Sequence, residues 1–219
     1  MPDYRHQRRR MVVTQIARRG IRDERVLAAM RTVPRECFVD AALAEFAYDD
    51  APLPIDAGQT ISQPYIVAAM IEAAELGPPH TVLEVGAGSG YAAAVLGRIV
   101  ARVYAVERLR VLVDAAAGRL ASLGYLNIEL RVGDGSTGWP EAAPYDAILV
   151  AAAGPRVPSA LKAQLALGGR LIMPVGGASW QRLLKVTRAG DADFREEELC
   201  GVSFVPLVGA QGWPEEPAP

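Results

Sequence analysis

From Thr81 onward the sequence runs through a short apolar stretch, Thr81–Val85, into Gly86-Ala87-Gly88-Ser89-Gly90, and then into an alanine-rich helical stretch that begins at Tyr91 and reaches Val100. Glycine at every second position lets a chain leaving a strand turn tightly and lets its backbone approach a ligand closely. The start of the following helix would direct free N–H groups and its positive dipole end at that ligand, which favours an anionic group. The spacing G-x-G-x-G differs from the dinucleotide fingerprint G-x-G-x-x-G, because position 91 is tyrosine rather than glycine. A nicotinamide dinucleotide is therefore disfavoured. An acid, Glu84, stands two residues ahead of the first glycine. A tight strand-to-helix turn with no ligand remains the plainer alternative for the motif alone.

The rhythm around this turn sets the fold class. Strands are expected at Thr81–Val85, Val103–Val106, Ile128–Val132 (alternating, hence near a sheet edge), Ala147–Ala151 (apolar throughout, hence buried on both faces), Arg170–Val175, Leu183–Thr187 and Val202–Val208. Helices are expected over Arg108–Leu123 and over Pro158–Leu167, the latter ending at Gly168-Gly169. Such alternation predicts an α/β fold, a doubly wound, mostly parallel, Rossmann-like sheet that binds ligands at the carboxyl ends of its strands. Ahead of it, residues 3–46 read as a helical segment broken at Gly20, with apolar faces at Met11, Val12 and Ile16 and at Val26, Leu27 and Met30. Residues 48–62, with Pro52, Pro54 and Gly58, read as a loop, and Pro64 opens a helix to about Glu75. The expected organisation is residues 1–79 as N-terminal helices and loop, 80–208 as the α/β core and 209–219 as a tail, forming one compact domain. The end from Trp213 is expected to fray.

Composition excludes several classes. The chain is 51% hydrophobic with a net charge of −2, so disorder is ruled out for most of it. No apolar run reaches the ~18 residues of a membrane span, and the first residues lack an apolar leader core. Cys37 and Cys200 stand far apart and are expected as reduced thiols in the cytoplasm. His6 and His80 make no metal cluster, so no metal is expected. Residues 1–35 carry ten arginines against Asp3, Asp23 and Glu24, whereas residues 36–60 carry six acids and no Lys or Arg. A basic end can contact nucleic acid. Few aromatics interleave with it and the whole chain is not basic, so arginines pairing with the acidic stretch is the favoured reading.

Two acids extend the glycine signal. Glu107 closes the second strand of the core, where a carboxylate can accept hydrogen bonds from both hydroxyls of a ribose. In isolation it would read as a surface acid paired with Arg108 or Arg110. Gly133-Asp134-Gly135 follows the third strand and leaves the Asp134 carboxylate uncrowded, able to accept from an amino group such as adenine N6, although Asp-Gly is also a common turn pair. Together with the glycine turn these residues outline a nucleoside site.

Leu83–Tyr91, Glu107, Gly133-Asp134-Gly135 and Gly168-Gly169-Arg170-Leu171-Ile172 resemble class I S-adenosylmethionine-dependent methyltransferases. Val33-Pro34-Arg35-Glu36-Cys37-Phe38-Val39, the loop Gly58-Gln59-Thr60-Ile61-Ser62-Gln63-Pro64-Tyr65 and Phe204-Val205-Pro206-Leu207 narrow the resemblance to the protein-L-isoaspartate O-methyltransferase family, over about residues 10 to 213. The resemblance implies S-adenosylmethionine as cofactor and S-adenosylhomocysteine as its product. Isoaspartyl peptides and proteins would be the partners, methylated on the free α-carboxylate; the ester then cyclises to a succinimide with loss of methanol. It implies Ser62 as the catalytic residue. Thr60, Tyr65, Glu84, Gly86, Gly88, Gly90, Glu107, Arg108, Asp134 and Gly135 form the implied cofactor-binding set, with Gln211 and Trp213 as further candidates in a terminal segment that folds back toward the site.

From position alone, Ser62 could equally be the N-cap of the helix opened by Pro64, and a cap and a catalytic role are compatible. The chemistry suits a chain with few titratable groups, because a carboxylate of pKa ~4 is already ionised and requires no general base. Asp56-Ala57-Gly58 departs from the family's usual Gly-x-Gly and places a charge near the expected substrate entrance. Tyr65 stands where many relatives have His, and Ala153-Gly154-Pro155 alters a corner after the fourth core strand. These departures leave two rivals: the same chemistry on a dedicated biosynthetic peptide or RNA, and a non-enzymatic module that binds the cofactor. A monomer without membrane or nucleic-acid partners is expected.

Overall fold

The computed structural model describes residues 3–215. Seven strands form the central sheet: β3 (Thr81–Val85), β4 (Arg102–Glu107), β5 (Ile128–Val132), β6 (Tyr145–Val150), β7 (Leu165–Gly176), β8 (Gln181–Arg188) and β9 (Phe194–Val202), in the order β5-β4-β3-β6-β7-β8-β9. The first five are parallel neighbours, and β8 and β9 add antiparallel. The order reverses between β3 and β6, so the crevice at their carboxyl ends is the topological switch point. β5 lies at one edge, as its alternating pattern predicts. β6 is central and nearly all buried, as its unbroken apolar run predicts.

The N-terminal segment is helical as expected: α1 (Tyr4–Met11) runs through a single π-turn over Val12–Ile16 to Gly20, which ends it in a left-handed conformation, and α2 (Glu24–Thr32) follows. Met11, Val12, Ile16, Val26, Leu27 and Met30 are all buried and share one apolar core with Val82, Leu149 and Ile172 of the sheet. The N-terminal helices thus pack on the sheet rather than beside it. Arg8 ties α1 to the acidic stretch after α2, donating to the Tyr48 hydroxyl at 2.9 Å and pairing with Glu36 at 3.2 Å.

Five expectations are corrected. The loop 48–62 contains a small antiparallel hairpin, β1 (Leu53–Pro54) with β2 (Thr60–Ile61), and leads into α3 (Pro64–Ala73). The helix after the glycine turn, α4, spans only Tyr91–Leu96, because Gly97 packs against Ile128 and Tyr125 and the chain turns there toward β4. The helix expected over Pro158–Leu167 is the five-residue α6 (Ser159–Ala163); Leu165 already pairs with Tyr145, and 166–169 bulge out before Arg170 rejoins the ladder. The last strand is Phe194–Val202, not Val202–Val208. Its Glu196, Glu197 and Glu198 lie on an edge strand, where charge costs little and deters further pairing. Residues 203–208 instead cross the carboxyl end of the sheet, with Ala153 N–H donating to Val205 O and Leu207 N–H to Ala153 O. The fraying expected from Trp213 is corrected too: Trp213 is anchored, its indole N–H donating to Ala153 O at 3.0 Å; 216–219 lie outside the described residues.

Candidate active site

A cavity of about 800 Å³ opens at the switch point. Its wall is made by the glycine turn, the end of β4, the hairpin loop with the start of α3, and the crossing segment 200–208. Of the residues singled out from sequence it collects Thr60, Ser62, Tyr65, Glu84, Gly86, Gly88, Glu107, Arg108 and Gly135. Gly90 and Asp134 are not in that wall.

The turn itself is as tight as its glycines suggest. Gly86, Gly88 and Gly90 all have positive φ, at 86°, 52° and 86°, where an L side chain is strained. Gly90 initiates α4 and lies against Ala116 and Leu120 of α5 (Arg110–Ser122), so its role is packing. The expected anion cradle is not formed. Gly86 and Ala87 N–H donate to Val106 O, Gly88 N–H to Glu107 Oε2, Gly90 N–H to Ala87 O and Tyr91 N–H to Ser89 Oγ. The turn has spent these donors on the fold, and the acids beside it in the cavity wall are Glu84 and Glu107.

Glu107 is 7% exposed and accepts from Gly88 N–H at 3.1 Å and Leu109 N–H at 3.0 Å. These two bonds fix its carboxylate at the end of β4 with acceptor capacity left for hydroxyls. It is not the surface acid of the plainer reading, since Arg108 pairs instead with Glu215 at 3.1 Å. Glu84, in the middle of the sheet, is buried and its Oε2 has no partner. Burial first and the nearby Glu107 second push its carboxyl up to about 8. A buried acceptor left open in a cavity wall marks where a ligand's donor belongs.

Asp134 is occupied differently from the expectation. Its Oδ1 accepts from Ser136 N–H and Oγ, at 2.8 and 2.7 Å, and its Oδ2 accepts from Ala210 N–H at 2.7 Å. The carboxylate caps the turn Gly135–Thr137 and holds the terminal segment; a contact with an adenine amino group would have to share Oδ2 with Ala210. Gly135 carries the wall at this point, so close to β3 that a Cβ there would clash with Val85 Cγ1. Gln211 accepts from Ser159 Oγ and Ala160 N–H, and its own N–H donates to Ser136 Oγ, which pins the segment over this end of the site.

Ser62 is not the helix cap. The cap position of α3 is Gln63, with no side-chain capping bond, and the Ser62 hydroxyl has no hydrogen bond among the described residues. Asp56, expected near the substrate entrance, lies outside the large cavity, in a neighbouring cleft beside Arg119 on the far side of the hairpin. Sequence reasoning missed Arg19, which lines the cavity from the N-terminal segment, and Ser136, which relays Asp134 to Gln211. Neither carries a local motif. Only the fold brings position 19 beside position 65.

The comparisons with known proteins agree with this geometry. The family model described as protein-L-isoaspartate (D-aspartate) O-methyltransferase matches residues 6–212. The chain belongs to this family. It is 62% identical over 209 residues to protein-L-isoaspartate O-methyltransferase 2 of Pelobacter propionicus, covering 95% of this chain and 93% of that one. It is 59% identical to the Rhodopseudomonas palustris protein-L-isoaspartate O-methyltransferase over 210 residues, 95% of this chain and 96% of that one. Among solved structures it superposes on a protein-L-isoaspartate O-methyltransferase with a TM-score of 0.85 at 30% identity, covering 93% of this chain and 67% of the other. A second, from Plasmodium falciparum and described as a putative member in complex with S-adenosyl-L-homocysteine, gives 0.80 at 26% identity, covering 92% and 98%.

The residues present fit the family's cofactor. S-adenosylmethionine carries a sulfonium and an ammonium beside one carboxylate, and to its cationic and hydroxyl groups the cavity offers the open acceptor of Glu84 and the fixed carboxylate of Glu107. Glu84 would take the ammonium and Glu107 the ribose hydroxyls. Gly86, Gly88 and Gly135 keep the wall free of side chains between them.

Proposed function

We propose that the chain transfers a methyl group from S-adenosylmethionine to the free α-carboxylate of isoaspartyl residues in damaged proteins, with Ser62 as the residue that positions the acceptor. The cofactor supplies an electrophilic methyl on a cationic sulfur. A carboxylate oxygen forms the new C–O bond as the C–S bond breaks, and S-adenosylhomocysteine leaves. No proton moves in this step, which agrees with a cavity wall that holds no histidine or lysine among the described residues. The work left to the protein is alignment and exclusion of water. Thr60, Ser62 and Tyr65 close the site from the hairpin side, and 203–208 close it from the sheet side.

The observation that carries this reading is the unspent hydroxyl of Ser62 in the wall of a cavity that also holds Glu84 and Glu107. A hydroxyl can donate to a carboxylate and hold it in line while leaving its charge in place. The test is transfer of a labelled methyl to an isoaspartyl peptide and to its aspartyl twin. Labelling of the isoaspartyl form alone is expected, and equal labelling of both overturns the reading.

Two arginines of the basic N-terminal segment serve the acidic stretch rather than an RNA acceptor: Arg8 pairs with Glu36 and Arg19 with Asp50 at 2.9 Å. We propose a monomer acting in the cytoplasm. The free thiols of Cys37 and Cys200 support the compartment, and the glutamates along the β9 edge, which oppose pairing of one sheet with another, support the monomer.

A further inference from the structure

Arg19 is a cation built into the mouth of the cavity. It lies one residue ahead of Gly20, whose φ of 106° swings the chain away and leaves the arginine at the turn. Its guanidinium carbon stands 3.5 Å from the centroid of the Tyr65 ring, a contact close enough to fix the plane of the group. Nη1 donates to Asp50 Oδ2 at 2.9 Å, and its other N–H groups have no partner among the described residues. Its side chain is 42% exposed, and that of Asp50 36%. Tyr65 and Ser62 belong to the same wall, and Arg108, at the nucleoside end, is already paired with Glu215.

A stacked, half-open guanidinium at a rim has unused donors for an oxyanion arriving from solvent. It is unsuited to clasp the reacting carboxylate itself. That oxygen must keep its electron density and react away from water, and Arg19 stands where water reaches. We propose that Arg19 is a specificity-determining residue that receives a second carboxylate of the substrate, on a residue flanking the isoaspartyl site, and that Asp50 opposes this by competing for the same guanidinium. This rests on the isoaspartyl reading above. The enzyme therefore discriminates among damaged sites by the charge beside them, with Arg19 and Asp50 setting that preference in opposite directions.

The test uses two isoaspartyl peptides that differ only in a flanking Glu or Gln, and the full-length enzyme with Arg19→Gln, Arg19→Lys and Asp50→Asn. Arg19→Gln should lower the ratio of kcat/KM for the acidic over the neutral peptide about 3-fold, the size typical of an exposed charge pair. The change should lie in KM of the acidic peptide. Arg19→Lys should recover part of the ratio, because it keeps the charge but loses the planar fork. Asp50→Asn should raise the ratio, and added salt should lower it in the unmodified enzyme. A ratio unmoved by both Arg19→Gln and Asp50→Asn overturns the proposal, as does an equal loss on both peptides, which would mark Arg19 as merely structural. Failure of the unmodified enzyme to methylate either peptide is a different result. It would remove the isoaspartyl reading itself.

Discussion

Glu84 and Glu107 share one cavity with opposite hydrogen-bond states: Glu107 is held by the amides of Gly88 and Leu109, whereas Oε2 of Glu84 accepts nothing. The difference follows from position. Glu107 ends its strand and meets the free amides of two turns, while Glu84 lies inside β3, where every neighbouring amide belongs to the sheet ladder. Burial and the neighbouring Glu107 therefore favour the neutral form of Glu84.

A pH dependence follows, with its carboxyl pushed up to about 8 by burial and by Glu107. Between the ordinary carboxylate range and about 8 the folded chain holds a proton that the unfolded chain releases, so this group makes stability fall as pH rises, levelling off above about 8. A ligand ammonium reverses the preference, so affinity for S-adenosylhomocysteine should strengthen from pH 6 to 8, by at most ~10-fold per unit. Calorimetry in buffers of different ionisation heat should register proton release on binding. Glu84→Gln should abolish that release and raise the melting temperature of the cofactor-free protein at pH 8. Affinity independent of pH in the unmodified protein would refute the assignment of Glu84.

Ser62→Ala separates positioning from capping. Because Ser62 makes no capping bond to α3, the variant should melt within about 1 °C of the parent, as surface changes that break no cap do. Its affinity for S-adenosylhomocysteine should hold, while kcat falls on the order of 10- to 100-fold, the worth of a hydrogen bond to a charged group. Unchanged kcat would take Ser62 out of the mechanism.

Two backbone positions are occupied by the wrong residue for stability. Ala57 sits at φ 56°, ψ 31° in the hairpin turn, a left-handed conformation that costs a non-glycine residue ~1–2 kcal/mol. Gly118 lies on the exposed face of α5, where an added methyl would meet nothing within 4 Å and alanine gains ~0.5–1 kcal/mol. Ala57→Gly and Gly118→Ala should each raise the melting temperature, by about 2–4 °C per kcal/mol gained. A drop in either, measured by calorimetry at one pH, would contradict the local geometry.

Most of the architecture was legible because its signals are local. The run Tyr145–Val150 is apolar at nearly every position, and Gly86, Gly88 and Gly90 leave few alternatives to a strand, a turn and a helix. β9 escaped because an edge strand needs no apolar face, so Glu196 to Glu198 gave no period to detect. The five-residue α6 escaped because Leu165 and Leu167 extend a helical pattern that the pairing of Leu165 with Tyr145 overrides. Within the site, Ser62, Glu84 and Glu107 were readable from motifs. Arg19 and the engagement of Asp134 by Ala210 were not, since both depend on contacts between segments 46 and 76 residues apart in sequence.

The hold of Asp134 on the terminal segment can be tested by one atom. In Asp134→Asn the side chain keeps a single oxygen, yet the native carboxylate accepts amide N–H groups on both sides, Ser136 on Oδ1 and Ala210 on Oδ2. Whichever way the amide is flipped, one backbone N–H faces an NH2 group, at a cost of ~1–3 kcal/mol for the lost acceptor. On the Ser136 side the oxygen serves two donors, the N–H and the hydroxyl, and on the Ala210 side only one, so the oxygen stays with Ser136. The NH2 group then faces Ala210 N–H, which loses its acceptor. The amides of Ala210 and Gln211 should therefore exchange hydrogen faster in the variant by about 5- to 100-fold, while those of β3 and β6 keep their protection. Since Gly135 lines the cavity beside this contact, affinity for S-adenosylhomocysteine should fall with it. Exchange at Ala210 unchanged from the parent would show that the segment is held by Trp213 and Gln211 alone.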